Sequence, residues 1–201
     1  MSYESPKRKY ELRKRADAMA DTRRRITEAA MELHGTVGPA RTTVSAVADR
    51  AGVQRHTVYR HFPTEEGLYA ACSTQFWATN PWPDAEQWTA IADPERRLET
   101  ALDAIYRWYE RTEPTMTNVY RDMELVEALP RSMGPVEQYM QDVELVLAAG
   151  WPARGARRRV MTVAIRHALD FNTWRSLVHE GGVSRAQAVR LASALVREAA
   201  G

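Results

Sequence analysis

Apolar residues recur at helical spacing along most of the chain. Ile26, Ala29, Ala30 and Leu33 form the first clear stripe, because intervals of three and four residues place them on one helix face. Gly35 follows this stripe and is expected to end the helix. No stretch shows the sustained alternation of apolar and polar residues that is typical of a strand. The pattern therefore predicts an all-α fold.

Two short helices with a tight turn between them are predicted from Thr43 to Phe62. The Thr43 hydroxyl can accept a hydrogen bond from an early backbone N–H and so act as the N-cap of the first helix. Gly52 can adopt the positive φ that ends it. The second helix begins at Gln54 and turns Val58 and Phe62 inward. This arrangement is a helix-turn-helix pattern.

The outward face of that second helix carries polar and aromatic side chains and no acidic one. Such a surface suits the major groove of DNA, where base edges lie between anionic phosphates. Arg55 is the strongest candidate for reading a base, because arginine can bridge the O6 and N7 atoms of guanine. A phosphate contact is the alternative role for Arg55. The face comprises Gln54, Arg55, His56, Thr57, Tyr59, Arg60 and His61.

Helical signals continue beyond the turn. A linking helix is predicted over residues 64–79, and the two prolines of Asn80-Pro81-Trp82-Pro83 must end it. Ser184-Arg185-Ala186-Gln187 is a capping box that predicts the start of the last helix. The helices between are predicted to run from Pro94 to Glu113, from Met116 to Leu129, from Val136 to Ala149 and from Pro152 to Gly181.

The composition is that of a globular protein, and the single cysteine limits the compartment. The 201 residues are 44% hydrophobic and 27% charged, and no apolar run approaches the ~20 residues of a membrane span. We expect no membrane partner. Cys72 cannot form an internal disulfide, which fits a reducing cytoplasm. Cys72 is interpreted as buried helix filler, with a reactive sensor thiol as the alternative.

Charge is distributed unevenly along the chain. Residues 1–62 hold 13 Lys and Arg against 7 Asp and Glu, whereas residues 63–201 hold 15 against 19. A basic first third favours contact with a polyanion, although a solvated basic face would give the same count. We expect residues 1–20 to form a disordered basic arm, which either follows DNA or has no specific role. Residues 23–25 are three arginines near a helix start, an unfavourable position that a nearby phosphate would explain.

The stretch around the turn resembles the signature of the TetR-type (tetracycline-repressor type) transcriptional regulators. The resemblance covers residues 22–70 without gaps and implies two functional domains. Residues 21–63 would be an N-terminal three-helix helix-turn-helix DNA-binding domain, and residues 64–201 a larger C-terminal helical domain for effector binding and dimerisation. The matching residues are Thr42-Thr43-Val44, Ala48, Ala51-Gly52-Val53, Thr57-Val58-Tyr59-Arg60-His61-Phe62-Pro63 and Leu68.

The resemblance also assigns roles at the DNA. Thr43 and Ser45 would lie near phosphates, residues 54–57 would face bases, and Tyr59 and His61 would contact the backbone or base edges. Glu65 departs from the pattern, because a phosphate-binding lysine is usual near that position. Arg60 or the N-terminal arm is then the candidate for that contact.

Aromatic and methionine residues in the C-terminal half could line an effector pocket, since such pockets are mainly apolar. A stripe of this kind at helical spacing also describes an ordinary core. The last two long helices carry small residues (Ala164, Ala168, Ala188 and Ala192) and Leu195, which suit either a dimer seam or packing within one chain. The candidate pocket residues are Trp108, Tyr109, Met116, Tyr120, Met123, Tyr139, Met140, His167, Phe171 and Trp174.

These observations favour a regulator over an enzyme. The chain has no phosphate-binding glycine loop, no Cys/His metal spacing and no nucleophile motif, so we expect no catalysis, cofactor or metal. The resemblance implies a homodimer, joined through its last two helices, that represses at a palindromic operator in double-stranded DNA. A small apolar or aromatic ligand would release it. The alternative is a transcriptional activator, or a broadly acting DNA-binding protein of the same fold, without a ligand response.

Overall fold

The computed structural model describes residues 6–201, with side-chain burial from residue 9 onward. Within that range every regular element is helical, as predicted, and no helix is long and apolar enough to cross a membrane. A 3₁₀ turn covers Pro39–Arg41 and a π-helical turn covers Ser176–Glu180. The α-helices are α1 (Pro6–Thr36), α2 (Val44–Ala51), α3 (Arg55–His61), α4 (Glu65–Thr79), α5 (Glu86–Thr89), α6 (Pro94–Asp122), α7 (Ala128–Ser132), α8 (Gly134–Ala148), α9 (Gly155–Leu169), α10 (Phe171–Arg175) and α11 (Arg185–Ala200).

Helix α1 is longer than the sequence pattern predicts. Residues 6–20, expected to form a disordered arm, continue the helix toward its N-terminus, and residues 1–5 lie outside the described residues. Residues 9–21 are all exposed, so no buried apolar stripe marks this part of the helix in the sequence. Their alanine, lysine, arginine and glutamate content favours a helix by intrinsic propensity.

The first of two compact units extends to Thr79 and includes residues 114–132. Its core joins α1, α2, α3 and α4 through Ile26, Val47, Val58 and Phe62, the inward residues that the pattern identified. Cys72 is buried in the same core, and burial raises the pKa of its thiol to about 12. A thiol that is neutral at physiological pH supports the interpretation of Cys72 as filler.

The second unit comprises residues 80–113 and 133–201. Leu98, Leu102 and Ile105 of α6 are fully buried there, as is Ile165 of α9. The predicted capping box is present at the start of α11, where Ser184 and Gln187 cap each other's backbone N–H groups. Helices α9 and α11 pack along each other, so they form the main helix pair of this unit.

The predicted helix end at Glu113-Pro114 is wrong. Helix α6 continues through Pro114 to Asp122, although proline removes one backbone hydrogen bond from a helix interior. Pro114 is exposed, whereas Thr112 on one side and Met116 on the other are buried. Burial on both sides of the proline offsets that loss. The predicted stop before Pro130 is also wrong, because the short helix α7 contains that residue.

The predicted long helix from Pro152 to Gly181 is interrupted at Asp170. The Tyr106 hydroxyl donates to the Ala168 carbonyl over 2.8 Å, and the Tyr109 hydroxyl donates to the Leu169 carbonyl over 2.6 Å. These bonds satisfy carbonyls that the end of α9 leaves without helical partners. The Asp170 carboxylate then caps α10 by accepting from two backbone N–H groups.

Candidate nucleic-acid interface

The helix-turn-helix is built by the caps that the sequence predicts. The Thr43 hydroxyl accepts from the Ala46 N–H over 3.1 Å at the start of α2. Gly52 ends α2 with φ of 64°, in the left-handed region where glycine has no steric penalty. Gln54 then precedes α3 as its extended N-cap residue. Both ends of α2 are therefore set by residues within the motif.

Two arginines of α1 fix both helices of the motif from outside it. The Arg23 Nη1 atom donates to the His61 carbonyl over 2.6 Å at the end of α3, and its guanidinium lies 4.0 Å from the centroid of the Phe62 ring. Arg25 donates to the carbonyls of Ala51 and Gly52 at the end of α2. A cation at a helix C-terminus is favourable because the helix dipole is negative there.

These contacts explain the arginines without the nearby phosphate that the sequence analysis invoked. Arg24, the middle one, bonds Asp21 and Glu28 on its own helix. The unfavourable placement argued from sequence disappears because all three lie in the middle of α1. Arg23 and Arg25 act as cross-helix caps, a role that sequence reasoning missed.

The outward face of α3 is exposed and polar, as predicted. Arg55 is exposed, and its Nη2 atom lies 3.2 Å from the Tyr59 hydroxyl, one helical turn further on. Its guanidinium carbon lies 5.7 Å from the centroid of the Tyr59 ring. This contact holds the arginine side chain along the helix surface and reduces its freedom before any ligand binds.

The other predicted DNA-contact residues lie on or beside the same surface, with differing access. Thr57 and His61 are half-buried. The Nε2 atom of His61 is buried and has no hydrogen-bond partner among the described residues. Burial, together with the charges of Arg60 and Arg23, lowers the pKa of His61. The exposed members are Thr43, Ser45, Gln54, Arg55, His56, Tyr59 and Arg60.

A buried carboxylate anchors the loop after α1 to the end of α6, within the first unit. Asp122 is 1% exposed and accepts from the Ala40 N–H over 3.0 Å and from the Arg121 Nε–H over 2.7 Å. The Arg121 bond lowers the pKa of the Asp122 carboxyl. Gly38 permits this approach, because a side chain there would overlap the Asp122 carboxylate. No local sequence signal connects residues this far apart in the chain.

Nearby, His34 and Tyr69 stack in the same unit. Their ring centroids are 5.1 Å apart with an interplanar angle of 19°, and His34 is 6% exposed. Burial lowers the pKa of His34 to about 4, although the charge of Asp122 opposes this shift. His34 is therefore a neutral core residue at physiological pH.

Five of the predicted pocket residues come together in the second unit. Trp82, which the prediction did not include, stacks on Trp108 at 4.0 Å and on Tyr139 at 4.6 Å between ring centroids. The rings of Tyr109, Phe171 and Trp174 lie between 5.3 and 5.6 Å from one another. The aromatic cluster is defined here as Trp82, Trp108, Tyr109, Tyr139, Phe171 and Trp174.

Trp174 is the notable polar group of the aromatic cluster. Its side chain is fully buried, and its indole N–H has no hydrogen-bond partner among the described residues. Leaving a buried donor without an acceptor costs about 1–3 kcal/mol. Native cores contain few such groups, so this one marks a position where an acceptor would be stabilising.

The remaining predicted pocket residues are not part of the aromatic cluster. Met116, Tyr120 and Met123 belong to the first unit, where Met123 packs near Tyr69. Met140 is half-buried on α8. His167, also a candidate pocket residue, is exposed, and its Nδ1 atom lies 3.3 Å from the Thr173 hydroxyl. The buried side of α9 is formed by Met161, Ala164, Ile165, Ala168 and Leu169.

The outward sides of α9 and α11 form an apolar surface on the second unit. Val160 and Val163 are 58% and 61% exposed on α9, and Leu191 and Leu195 are 52% and 47% exposed on α11. The small residues predicted for a dimer seam, Ala164, Ala168, Ala188 and Ala192, are instead buried within the chain. They allow α9 and α11 to pack closely, and the exposed Val and Leu side chains form a separate apolar surface.

Comparison with known proteins agrees with this architecture. Residues 26–72 match the family model for bacterial regulatory proteins of the tetR family. Among curated protein sequences, none matches the chain significantly.

Solved structures share the fold over most of the chain. A protein from Mesorhizobium loti assigned to the TetR family is 17% identical with a TM-score of 0.61, and the match covers 90% of this chain and 96% of that one. NalD, the secondary repressor of the MexAB-OprM multidrug efflux pump in Pseudomonas aeruginosa, is 20% identical with a TM-score of 0.57, over 90% and 95%. PfmR from Thermus thermophilus is 17% identical with a TM-score of 0.56, over 85% and 96%.

The fold and the exposed face of α3 define a helix-turn-helix, DNA-binding transcriptional regulator. Residues 26–72 are similar to the N-terminal part of the TetR family, and the whole chain shares the fold of solved structures assigned to that family.

Proposed function

We propose that the protein is a repressor that binds a palindromic operator as a homodimer and is released by a small apolar or aromatic molecule. The observation that carries the DNA-binding part is the exposed, acid-free face of α3. Arg23 and Arg25 fix the C-terminal ends of α3 and α2 against α1, so this face is preorganised for a groove. A rigid reading helix loses little entropy when it binds.

Dimer formation is supported by the apolar surface of α9 and α11. Four large aliphatic side chains between 47% and 61% exposed on two adjacent helices favour burial against a second copy. A two-fold dimer presents two α3 helices, which matches a palindromic site with half-sites separated by about one turn, ~34 Å, or a multiple of it.

Ligand release is supported by the aromatic cluster of the second unit. Six packed rings form an apolar region inside the second unit, and the unpartnered indole N–H of Trp174 offers one polar anchor. The effector proposed here is therefore an apolar or aromatic molecule that carries a hydrogen-bond acceptor. The repressor role is supported by NalD, which shares the fold and is itself a repressor.

The test is selection of bound duplexes from a random-sequence pool, followed by affinity measurement on the selected site. We expect a two-fold symmetric sequence. Replacing Arg55 with alanine should relax the preference at one position of each half-site, with a loss of about 1–3 kcal/mol on the preferred base and little loss on others. Arg96→Ala is the matched control, because Arg96 is an exposed arginine of the second unit.

Equal weakening of selected and random DNA by Arg55→Ala would instead assign this arginine to a phosphate. A symmetric site that recruits polymerase in a transcription assay would favour an activator over a repressor. The same transcription assay with added aromatic compounds tests the ligand response. A broadly acting DNA-binding protein would instead select no defined site from the random-sequence pool.

A further inference from the structure

We infer that the N-terminal half of α1 is a rigid basic helix that binds the phosphates of duplex DNA beside the half-site read by α3. This inference rests on the proposed DNA binding and adds a second contact surface to it. The basic extension is defined as residues 6–20.

From residue 9 onward, the basic extension makes no packing contribution to the core. Residues 9–21 are exposed, and the first buried residue of α1 is Ile26. At 1.5 Å per residue, the fifteen residues of the extension reach roughly 22 Å, a length comparable to six or seven base pairs. A helix of this length would be marginally stable as an isolated peptide, but here it continues the packed part of α1 without a break.

The charge of the basic extension fits a polyanion. Lys7, Arg8, Lys9, Arg13, Lys14 and Arg15 are opposed by Glu11 and Asp17 alone within these residues. Successive residues of a helix are separated by about 100°, so Lys9, Arg13, Lys14 and Arg15 are distributed around it and do not form a single basic face. Tyr10, Leu12 and Met19 are exposed, but Tyr10 lies about 160° around the helix from Leu12, so the three do not form one broad apolar face. A membrane-surface helix or a helix that binds in a protein groove needs such a face, so duplex DNA is the favoured partner.

The arginine caps on α2 and α3 determine where the basic extension lies relative to α3. Arg23 contacts the His61 carbonyl at the C-terminal end of α3, and α1 is one uninterrupted helix from Pro6 to Thr36. The extension is therefore attached rigidly beside that end of α3. When α3 lies in a groove, the cations of the basic extension lie near the flanking phosphates, and little entropy is lost in placing them there.

The experiment compares the selected operator with and without about eight additional base pairs on each side, a length set by the extension's roughly 22 Å reach. The unmodified protein should bind the longer duplex more tightly. The variant R13Q/K14Q/R15Q should lose that gain, and its log affinity should depend less steeply on log salt, by about 0.9 for each phosphate that the variant no longer neutralises. The matched control is R157Q/R158Q/R159Q, which removes the same charge from the exposed start of α9.

Rigidity is tested by Ala16→Pro, which interrupts the helix but keeps every charge. We expect this variant to lose most of the flank-dependent gain. Circular dichroism and thermal unfolding verify that each variant keeps the folded core of the first unit. If R13Q/K14Q/R15Q still binds the longer duplex more tightly, the contact between the basic extension and the flanking phosphates is wrong. If Ala16→Pro keeps that gain in affinity, the rigid placement of the extension is wrong.

Failure of this inference differs from failure of the proposed function. If the unmodified protein selects no sequence at all, the proposed function fails. If it selects a site but binds short and long duplexes equally, only the basic extension's role is wrong. Equal loss of affinity in the α9 control would show a general effect of net charge and would also contradict the inference.

Discussion

Three consecutive arginines show how context decides what a charged side chain does. In sequence, residues 23–25 look like one basic cluster. On a helix, however, neighbours point about 100° apart, so each meets different groups. Arg23 reaches the end of α3, Arg25 reaches the end of α2, and Arg24 stays on its own helix. Arginines that are adjacent in sequence therefore do not act together in the fold. Two of them hold the helix-turn-helix in position, whereas the sequence favoured a phosphate as their partner.

A single buried histidine, His34, makes stability depend on pH. Its folded-state pKa is about 4, below the ordinary 6.5, so the unfolded chain binds more protons between these values. Stability is therefore complete above pH 6.5 and falls as the pH is lowered toward 4, by up to about 3 kcal/mol. His34→Phe keeps a ring for Tyr69 to stack on and cannot titrate. Urea unfolding at pH 7 and pH 4.5 should show a smaller loss in this variant than in the unmodified protein.

The exposed His167 supplies the control for this measurement. His167→Gln should leave the loss of stability between pH 7 and pH 4.5 unchanged. The contribution of Asp122 lies lower, since its lowered pKa means that its stabilisation is lost only below the ordinary 3.8. An unchanged pH dependence in His34→Phe would show that the ring is protonated without cost in the folded protein.

At the scale of elements, the turn between α2 and α3 depends on one glycine. Gly52→Ala places a Cβ in the left-handed region and 3.1 Å from the Arg25 guanidinium, which must then shift from its cap. We expect a loss of about 1–2 kcal/mol in the free energy of unfolding, measured in urea.

Gly134→Ala is the comparison for that variant. Gly134 begins α8, and an added Cβ would meet no atom within 4 Å. Alanine should leave stability unchanged or raise it by up to about 1 kcal/mol, because it favours a helix more than glycine does. Equal effects of the two substitutions would show that the left-handed conformation at Gly52 carries no strain.

Elements with a local signal could be predicted, and elements that depend on distant contacts could not. Thr43, Gly52 and Ser184 act through neighbours a few residues away, so their caps were visible in the sequence. The break at Asp170 depends on the Tyr106 and Tyr109 hydroxyls, about sixty residues distant, and no local pattern indicates it. The passage of α6 through Pro114 likewise depends on burial of its neighbours.

At the scale of the whole molecule, assembly should depend on the apolar surface of α9 and α11. Leu191→Glu together with Leu195→Glu places charges on a face that a second copy would bury. We expect a monomer by light scattering and sedimentation. Affinity for the full operator should fall by at least roughly a hundredfold, because two linked half-sites no longer reinforce each other.

Leu125→Glu is the control, since Leu125 is 72% exposed but belongs to the first unit. It should remain a dimer with unchanged operator affinity. A Leu191→Glu/Leu195→Glu protein that stays dimeric would show that another surface joins the copies.

The candidate sites differ in how far the sequence revealed them. The outward side of α3 lies within one short segment, residues 54–61, so a single helical period predicts which of its side chains point away from the core. The predicted residues of the aromatic cluster come from α6, α8 and α10, and periodicity alone cannot place them together. Trp82 was therefore missed, and Met116, Tyr120 and Met123 were assigned to a cluster that they do not join.

Helix α6 has a consequence for anyone who wishes to exchange the parts of this protein. Its residues 94–113 belong to one compact unit and residues 114–122 to the other. A graft of residues 6–79 onto a foreign partner would omit Asp122, and with it the acceptor for the Ala40 N–H. The unit that contains the helix-turn-helix therefore cannot be transferred as one continuous segment of the chain. A functional hybrid must also carry residues 114–132.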